Sequence, residues 1–540
     1  MEPVTTALIL ILAVTISGSI VRLSPIPLPL PLVQIALGAL VAAVADVGIA
    51  LRPEVFFLLF LPPLLFLDGW RIPKDGLRRD RGTVLAMALG LVVFTVLGVG
   101  YFVHLLIPTM PLPVAFALAA VLSPTDPVAV SAIAERVPFP RRLMHILQGE
   151  ALFNDASGLV CMRFAVAAAL TGAFSAVDAF GVFLWLGLGG IVVGVCATLA
   201  ITTAKNWVSG HYGEEPGSQI LISLLIPFGA YLLAEHLGCS GILAAVSAGI
   251  TMSHVEQSGR ALARTRLQRT AVWDTISFAA NGTIFVLLGE QLPRLVASVA
   301  LAEREAGRDG QYWLLLYVVA INAALFALRF VWVWVSLRYT MFRAAGTRPP
   351  WQLVAATSLA GARGAVTLAG ILTLPLALPD GSPFPARDLA IFLAAGAIIV
   401  SLLAASIGLP LLLHRLTLPP EPVRRAREDR ARSNAAEAAI RAVARAQHDL
   451  GENQGEMDLY AEIGTRIMSQ YRERIERRSK SAEDGDRTAA IGQVERQLYL
   501  VGMRAERDEI YRMARAREIP DELARRLVGE VDLLETRMTS

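Results

Sequence analysis

Three short stretches hold most of the chemistry available to the first 420 residues: Ser123-Pro124-Thr125-Asp126-Pro127, Gly149-Glu150-Ala151-Leu152-Phe153-Asn154-Asp155 and Gly361-Ala362-Arg363-Gly364-Ala365. Each sets ionisable groups inside an apolar run, where a charge costs at least ~2.5–3.5 kcal/mol and persists when paired or functional. Pro124 and Pro127 cannot donate the helix hydrogen bond, which frees the carbonyls of Ala120 and Ser123 and predicts a broken helix. A break at lipid depth is tolerated around a cavity or buried protein. Freed carbonyls beside the Asp126 carboxylate, the Thr125 hydroxyl and Ser123 suit a small hard cation. The alternative is a proline kink with Asp126 capping the second half-helix.

In the second stretch, helical spacing puts Glu150 and Asn154 about 40° apart on one face, with Asp155 about 140° away from Glu150. One helix then offers two polar faces: Glu150 for a structural cation partner and Asp155 for a cavity. A salt bridge from Asp155 to a buried arginine is the competing reading. In the third stretch, flanking glycines let the helix unwind and backbones approach closely, and Arg363 is read as the structural partner of Glu150. Asp68, at the end of Leu61-Pro62-Pro63-Leu64-Leu65-Phe66-Leu67-Asp68, either lines an access funnel or marks the membrane interface. Weaker expectations put Arg163 near Asp155, Arg329 against Asp274 or a carbonyl, and Glu290 in solvent near an outer interface.

The elements that must position these residues are membrane helices. The 540 residues are 54% hydrophobic and 18% charged, against roughly 25% charged in soluble proteins. From Glu421 to Ser540 there are 23 Lys/Arg and 24 Asp/Glu, leaving 26 and 22 for residues 1–420, so the chain divides into a lipid-embedded part and a charged tail. Apolar runs of spanning length recur near 4–21, 27–50, 54–69, 82–107, 112–134, 144–172, 180–203, 218–237, 238–254, 271–292, 311–339, 351–377 and 385–414, thirteen in all. Arg22 follows the first run and no basic residue precedes it, which favours a spanning helix over a cleavable signal. Basic residues fall mainly in alternate loops, among them Arg71, Lys74, Arg78, Arg79 and Arg81, then Arg260, Arg264, Arg266 and Arg269. This bias predicts the N-terminus outside and the tail, residues 421–540, in the cytoplasm.

The tail is mixed in sign, with helical patterns at Ala435–His448, Arg472–Lys480 and Gln493–Arg517 and linkers at Gly451–Gly455 and Ala482–Asp486. It is read as a solvated helical extension, with a regulatory or dimerising module as the sharper alternative. The three cysteines show no metal or disulfide spacing, and Gly190 with Gly194 reads as a helix-packing pair. Net charge of +3 is explained by the loops, so nucleic acid is not an expected partner.

Desolvation penalises the charged form of a carboxylate at mid-membrane, so such a group takes either a proton or a cation. That competition is sufficient for exchange by alternating access. The three stretches, with Phe60-Leu61-Pro62-Pro63 and Phe285-Val286-Leu287-Leu288-Gly289, resemble the hallmarks of the monovalent cation/proton antiporters of the NhaP and animal sodium/proton exchanger branch. The resemblance implies an all-α membrane protein with about thirteen transmembrane helices in two inverted six-helix repeats, whose broken helices cross near the ion site, plus a helical cytoplasmic tail. It implies Asp155 as the proton/cation carrier with Asn154 beside it, Asp126 and the Thr125 backbone completing the site, and a Glu150–Arg363 salt bridge. It further implies a homodimer in the cell membrane, Na+ (or Li+ or K+) and H+ as substrates, no cofactor, and electroneutral one-for-one exchange, because Asn154 replaces the first of two adjacent aspartates.

Two positions depart from the family pattern. Ala151 stands where a serine usually offers its hydroxyl, so a water or another oxygen must take that place. Asp68 is shorter than the glutamate common there in bacterial relatives. K+/H+ exchange at the same site is the alternative transport reading. An intramembrane aspartyl protease needs Tyr-Asp and Gly-x-Gly-Asp contexts that Asp126 and Asp155 lack, and a cation channel shows a symmetric pore motif.

Overall fold

The computed structural model describes residues 2–24, 29–45, 53–126, 130, 139–172, 176–213, 215–256, 263–297, 311–340, 349–414, 422–454, 461–473, 485–516, 518 and 521–539. Among them the chain is helical throughout, apart from turns and one isolated bridge between Ala377 and Pro383. It separates into two compact units, Met1–Leu418 and Pro419–Ser540.

The first unit contains α1 (Glu2–Leu23), α2 (Leu30–Ala45), α3 (Pro53–Arg71), α4 (Lys74–Arg79), α5 (Arg81–Leu85), α6 (Val92–Leu106), α7 (Leu112–Leu122) and α8 (Arg141–Thr171). It continues with α9 (Ala176–Tyr212), α10 (Pro216–His236), α11 (Gly241–Glu256), α12 (Ala263–Ala297), α13 (Gln311–Thr340), α14 (Trp351–Leu359), α15 (Ala365–Leu372) and α16 (Arg387–Leu413). A π-helical turn, Ala86–Leu91, joins α5 to α6 into one span. Eight helices among the described residues are long and apolar enough to cross a membrane, and Leu30–Val44 and Leu112–Leu122 are shorter apolar helices. The runs expected at 54–69, 238–254 and 351–377 are also helical. The second is only 16 residues long, and the third is interrupted between α14 and α15.

Lipid offers no hydrophobic drive between helices, so close packing of small residues holds them together. A Cβ on Gly38 would lie 2.0 Å from the Val286 carbonyl oxygen, and one on Gly289 would lie 2.0 Å from that of Ile35. These two glycines let α2 and α12 touch backbone to backbone. Gly190 and Gly194 pack likewise against the Ser240 and Ala244 carbonyls, as the sequence pattern suggests. The largest buried cluster runs through α6, α7, α13 and α16, with Val99, Leu118, Ile321, Leu393 and Ala397 inaccessible to solvent. The same cluster takes in Ala356 of α14 and Leu368 of α15.

The second unit contains helices Pro422–Gln454, 461–473, Gly485–Arg515 and Asp521–Thr539. The linker expected from Gly451 is instead the last turn of the first of these helices, and 485–486 open another. Most of the Arg472–Lys480 stretch lies outside the described residues. The last two helices pack through Met503, Ile510, Val528 and Val531, flanked by Arg507 with Asp532 at 2.7 Å and with Glu535.

Candidate functional site

Two helix breaks meet in the interior of the first unit. α7 stops at Leu122 and the backbone from Pro124 to Asp126 is non-helical, while 361–364 separate α14 from α15. Pro127 lies outside the described residues. The breaks are bonded to one another: the Asp126 N–H donates to the Ala362 carbonyl at 2.8 Å. The Arg363 guanidinium donates to the Leu122 carbonyl at 3.0 Å through Nε and to the Gly361 carbonyl at 2.7 Å through Nη1. Its backbone N–H donates to Ser401 Oγ at 3.1 Å. A buried arginine thus satisfies carbonyls at the ends of both half-helices, where the helix dipoles are negative and no water is available. The approach is close enough that a Cβ on Gly364 would fall 2.0 Å from Asp126 Oδ2.

This geometry corrects the expected salt bridge. Glu150 pairs with Arg329 on α13, Nη1 to Oε1 at 2.5 Å and Nη2 to Oε2 at 2.8 Å, with both side chains buried. Arg363 is used by carbonyls instead. Arg329 therefore does not face Asp274, whose partner is Arg71. Glu290, expected in solvent, is buried beside Gln291.

The polar face of α8 continues from Glu150. Thr125 Oγ1 donates to Glu150 Oε1 at 3.3 Å, and Asn154 Nδ2 donates to Thr125 Oγ1 at 3.0 Å. Arg329, Glu150, Thr125 and Asn154 form one buried chain that ties the first break to α8 and α13. Asn154 Oδ1 is buried with no hydrogen-bond partner among the described residues. Ser157 Oγ donates to the Ala88 carbonyl in the π-helical turn at 2.7 Å.

On its other face α8 meets a cavity of about 70 Å³, several times the space one water needs. Asp155 and Ala151 line it from α8, Asp68 from α3, Pro124, Thr125 and Asp126 from the first break, Asn281 from α12, and Gly364 and Thr367 from the second break and the helix after it. Asp155 makes no side-chain hydrogen bond or ion pair with any described residue. Asp68 is exposed while Asp126 and Asp155 are half-buried. Of the residues singled out from sequence, the structure thus gathers Asp68, Thr125, Asp126 and Asp155 around one cavity. Asn154 stands behind Thr125, and Ser123 is absent from the lining, its hydroxyl pointing to the Val92 carbonyl at 3.5 Å. Asn281 and Thr367 were not anticipated. Their signal in the sequence is an uncharged polar residue within an apolar run.

Arg163 does not join this cavity. It lines a separate one of about 410 Å³ with Tyr231, Glu235 and Ser240. Outside the spans, Asp80 is buried between Arg142, at 2.5 Å, and Arg79, at 3.1 Å. Burial works to raise its carboxyl, but the Arg142 contacts and then those of Arg79 outweigh it and hold it below the usual carboxylate range.

Comparison with known proteins agrees with this architecture. Residues 8–415 match the family described as sodium/hydrogen exchanger, transmembrane. A relative from Escherichia coli (strain K12), named uncharacterized Na(+)/H(+) exchanger YjcE, is 39% identical over 547 residues, which cover 99% of this chain and 98% of that one. A relative from Bacillus subtilis (strain 168), named sodium, potassium, lithium and rubidium/H(+) antiporter, is 36% identical over 99% of this chain and 78% of its own. The sodium proton antiporter MjNhaP1 from Methanocaldococcus jannaschii shares the fold, with a TM-score of 0.57 at 18% identity over 77% of this chain and 99% of that one. The family consists of secondary transporters, which sets aside the protease reading. With two interrupted helices bonded at a carboxylate-lined cavity and a family match spanning nearly all of its first unit, this chain belongs to the transmembrane sodium/hydrogen exchanger family.

Proposed function

We propose that the chain exchanges Na+, Li+ or K+ for H+ by alternating access, with Asp155 as the carrier and the 70 Å³ cavity as the shared site. The observation that carries this reading is Asp155 itself: a carboxylate lining a cavity of about 70 Å³ between two helix breaks, held by no hydrogen bond or ion pair among the described residues. The neighbouring acid on α8, Glu150, is committed to Arg329 and cannot exchange ligands. Asp155 with a proton and Asp155 with a monovalent cation carry the same charge, so one-for-one exchange moves no net charge. Each pH unit then drives about 1.4 kcal/mol, and the membrane potential drives nothing. Each net charge moved would couple about 2.3 kcal/mol per 100 mV.

Asp126 and the Thr125 backbone complete the site, Asn154 holds Thr125 in place, and Asp68 lines the access path. The positive-inside bias sets the α3 end bearing Arg71 toward the cytoplasm, and the C-terminal unit is cytoplasmic. Two inverted repeats, a homodimer and placement in the cell membrane belong to the same reading. Use of K+ alongside Na+ is favoured by Ala151, which removes a hydroxyl from the site wall, and by the breadth of cations in the name of the Bacillus subtilis relative.

The test is proton flux in proteoliposomes with an imposed ΔpH, with Na+ or K+ added and with the membrane potential either clamped or free. Wild-type protein is expected to collapse ΔpH on cation addition regardless of the clamp, and Asp155→Asn to abolish the response while keeping its elution profile. Wild-type-like exchange by Asp155→Asn would remove the carboxylate from this role.

A further inference from the structure

The carboxylate at 155 cannot hold an alkali cation alone. Such ions need several oxygens, and Ala151, which lines the cavity from the same helix one turn before Asp155, offers no side-chain oxygen. We infer that Asn281 and Thr367 supply the missing neutral oxygens and set which alkali cation the site prefers. This inference rests on the assignment of Asp155 as the carrier.

Both residues line the same cavity as Asp155, from helices other than α8. Asn281 belongs to a stripe on α12 with Ile284 and Phe285, at the three- and four-residue spacing that keeps one helix face toward the cavity. Its neighbours on that stripe are apolar, so the amide is the polar group that face contributes. Asn281 Nδ2 donates to Ser277 Oγ at 3.3 Å one turn earlier, which orients the amide and leaves Oδ1 as an acceptor that accepts no bond from any described residue. Thr367 lies in the first turn of α15. It is 2% exposed, yet its hydroxyl forms no hydrogen bond among the described residues while its side chain lines the cavity.

A hydroxyl and an oriented amide oxygen with no bond to any described residue are free to accept a ligand from the carboxylate-lined cavity they border. The neighbouring carboxylates contribute charge rather than neutral oxygens: Asp126, against Gly364 at the positive end of α15, and Asp68 line the same cavity. The two neutral oxygens complement Asp155 for a metal ion but do nothing for a proton, which needs one oxygen only. They therefore bias the competition toward the cation, and their loss raises the cation concentration required while proton binding at Asp155 persists. Because Thr367 is fixed on a helix turn next to the second break, its oxygen has less freedom to follow a larger ion. Its removal therefore weakens Na+ and Li+ more than K+.

The experiment measures apparent KM for Li+, Na+ and K+ in proteoliposomes, with thermal protection of the purified protein by the same cations as a readout independent of transport. Asn281→Ala and Thr367→Val are expected to raise KM for Na+ about tenfold with maximal rate changed less than about twofold. Thr367→Ser, which keeps the hydroxyl, should stay near wild type. Ala151→Ser in the Asn281→Ala background should recover part of the lost Na+ affinity by adding an oxygen to the cavity lining. Unchanged KM values and unchanged Na+ protection in Asn281→Ala and Thr367→Val would overturn the inference. So would equal losses in Thr367→Ser and Thr367→Val, which would indicate packing rather than coordination. Should either variant prove unstable, the Na+-to-K+ KM ratio of Ala151→Ser in the wild-type background decides: a shift toward Na+ supports a site short of oxygens, and no shift refutes it. Persisting exchange in Asp155→Asn would instead defeat the carrier assignment, so the two failures are distinguishable.

Discussion

The pairing of Glu150 with Arg329 makes a quantitative prediction that separates two arginines of similar burial. Both oxygens of Glu150 are engaged by the Arg329 fork, at 2.5 and 2.8 Å, and the side chains are 1% and 3% exposed. Removing one partner of a buried pair strands the other without water and costs about 3–5 kcal/mol. Removing both leaves no stranded charge. Glu150→Ala and Arg329→Ala are each expected to destabilise by about 3–5 kcal/mol, and the double variant by far less than the sum of the two, a coupling of at least about 2 kcal/mol. The parallel cycle of Glu150 with Arg363 is expected to show coupling below about 1 kcal/mol, because Arg363 is bonded to the Leu122 and Gly361 carbonyls and not to the carboxylate. Arg363→Ala should still destabilise, through lost charge-assisted bonds to two orphan carbonyls. The assay is reversible denaturant unfolding in detergent, followed by tryptophan fluorescence, with folded fraction checked by size exclusion. Stronger coupling of Glu150 to Arg363 than to Arg329 would refute the assignment.

Other outcomes follow from the same geometry. Gly364→Ala places a methyl group 2.0 Å from Asp126 Oδ2, so the two breaks must separate; exchange in proteoliposomes should fall at least tenfold even where the protein remains monodisperse, and wild-type rates would show that the close approach is dispensable. Asp80 has its folded carboxyl held low by Arg142 and Arg79, so its contribution to stability is present above the ordinary carboxylate range and is lost as pH falls through the depressed value. Asp80→Asn should therefore lower Tm near neutral pH and flatten its decline in acid, while an unchanged acid profile would assign that decline to other groups.

Much of this protein was legible from the chain alone, because lipid imposes simple rules. Length and apolarity mark the spans, and the prolines at 124 and 127 and the glycines around Arg363 mark backbone that cannot remain helical. Helical spacing by itself separates the faces of Glu150 and Asp155, and the structure keeps them apart, one in an ion pair and the other at a cavity. These are properties of single helices, fixed by a repeat of 3.6 residues and by which groups can donate a hydrogen bond.

What only the tertiary structure decided is who meets whom across helices. The sequence reading paired Glu150 with Arg363 and set Arg329 against Asp274 or a carbonyl; the packing of α13 against the buried core delivered Arg329 to Glu150 instead, and the crossing of the breaks directed Arg363 to the carbonyls of Leu122 and Gly361. Ser123 sits in the same short motif as Thr125 and Asp126, yet the last turn of α7 points its hydroxyl at Val92 and away from the cavity. Asn281 and Thr367 come from helices far apart in sequence and share the cavity with Asp155. Spacing along a chain fixes direction around one helix axis, whereas partners depend on the relative rotation of many axes, which only the assembled bundle sets.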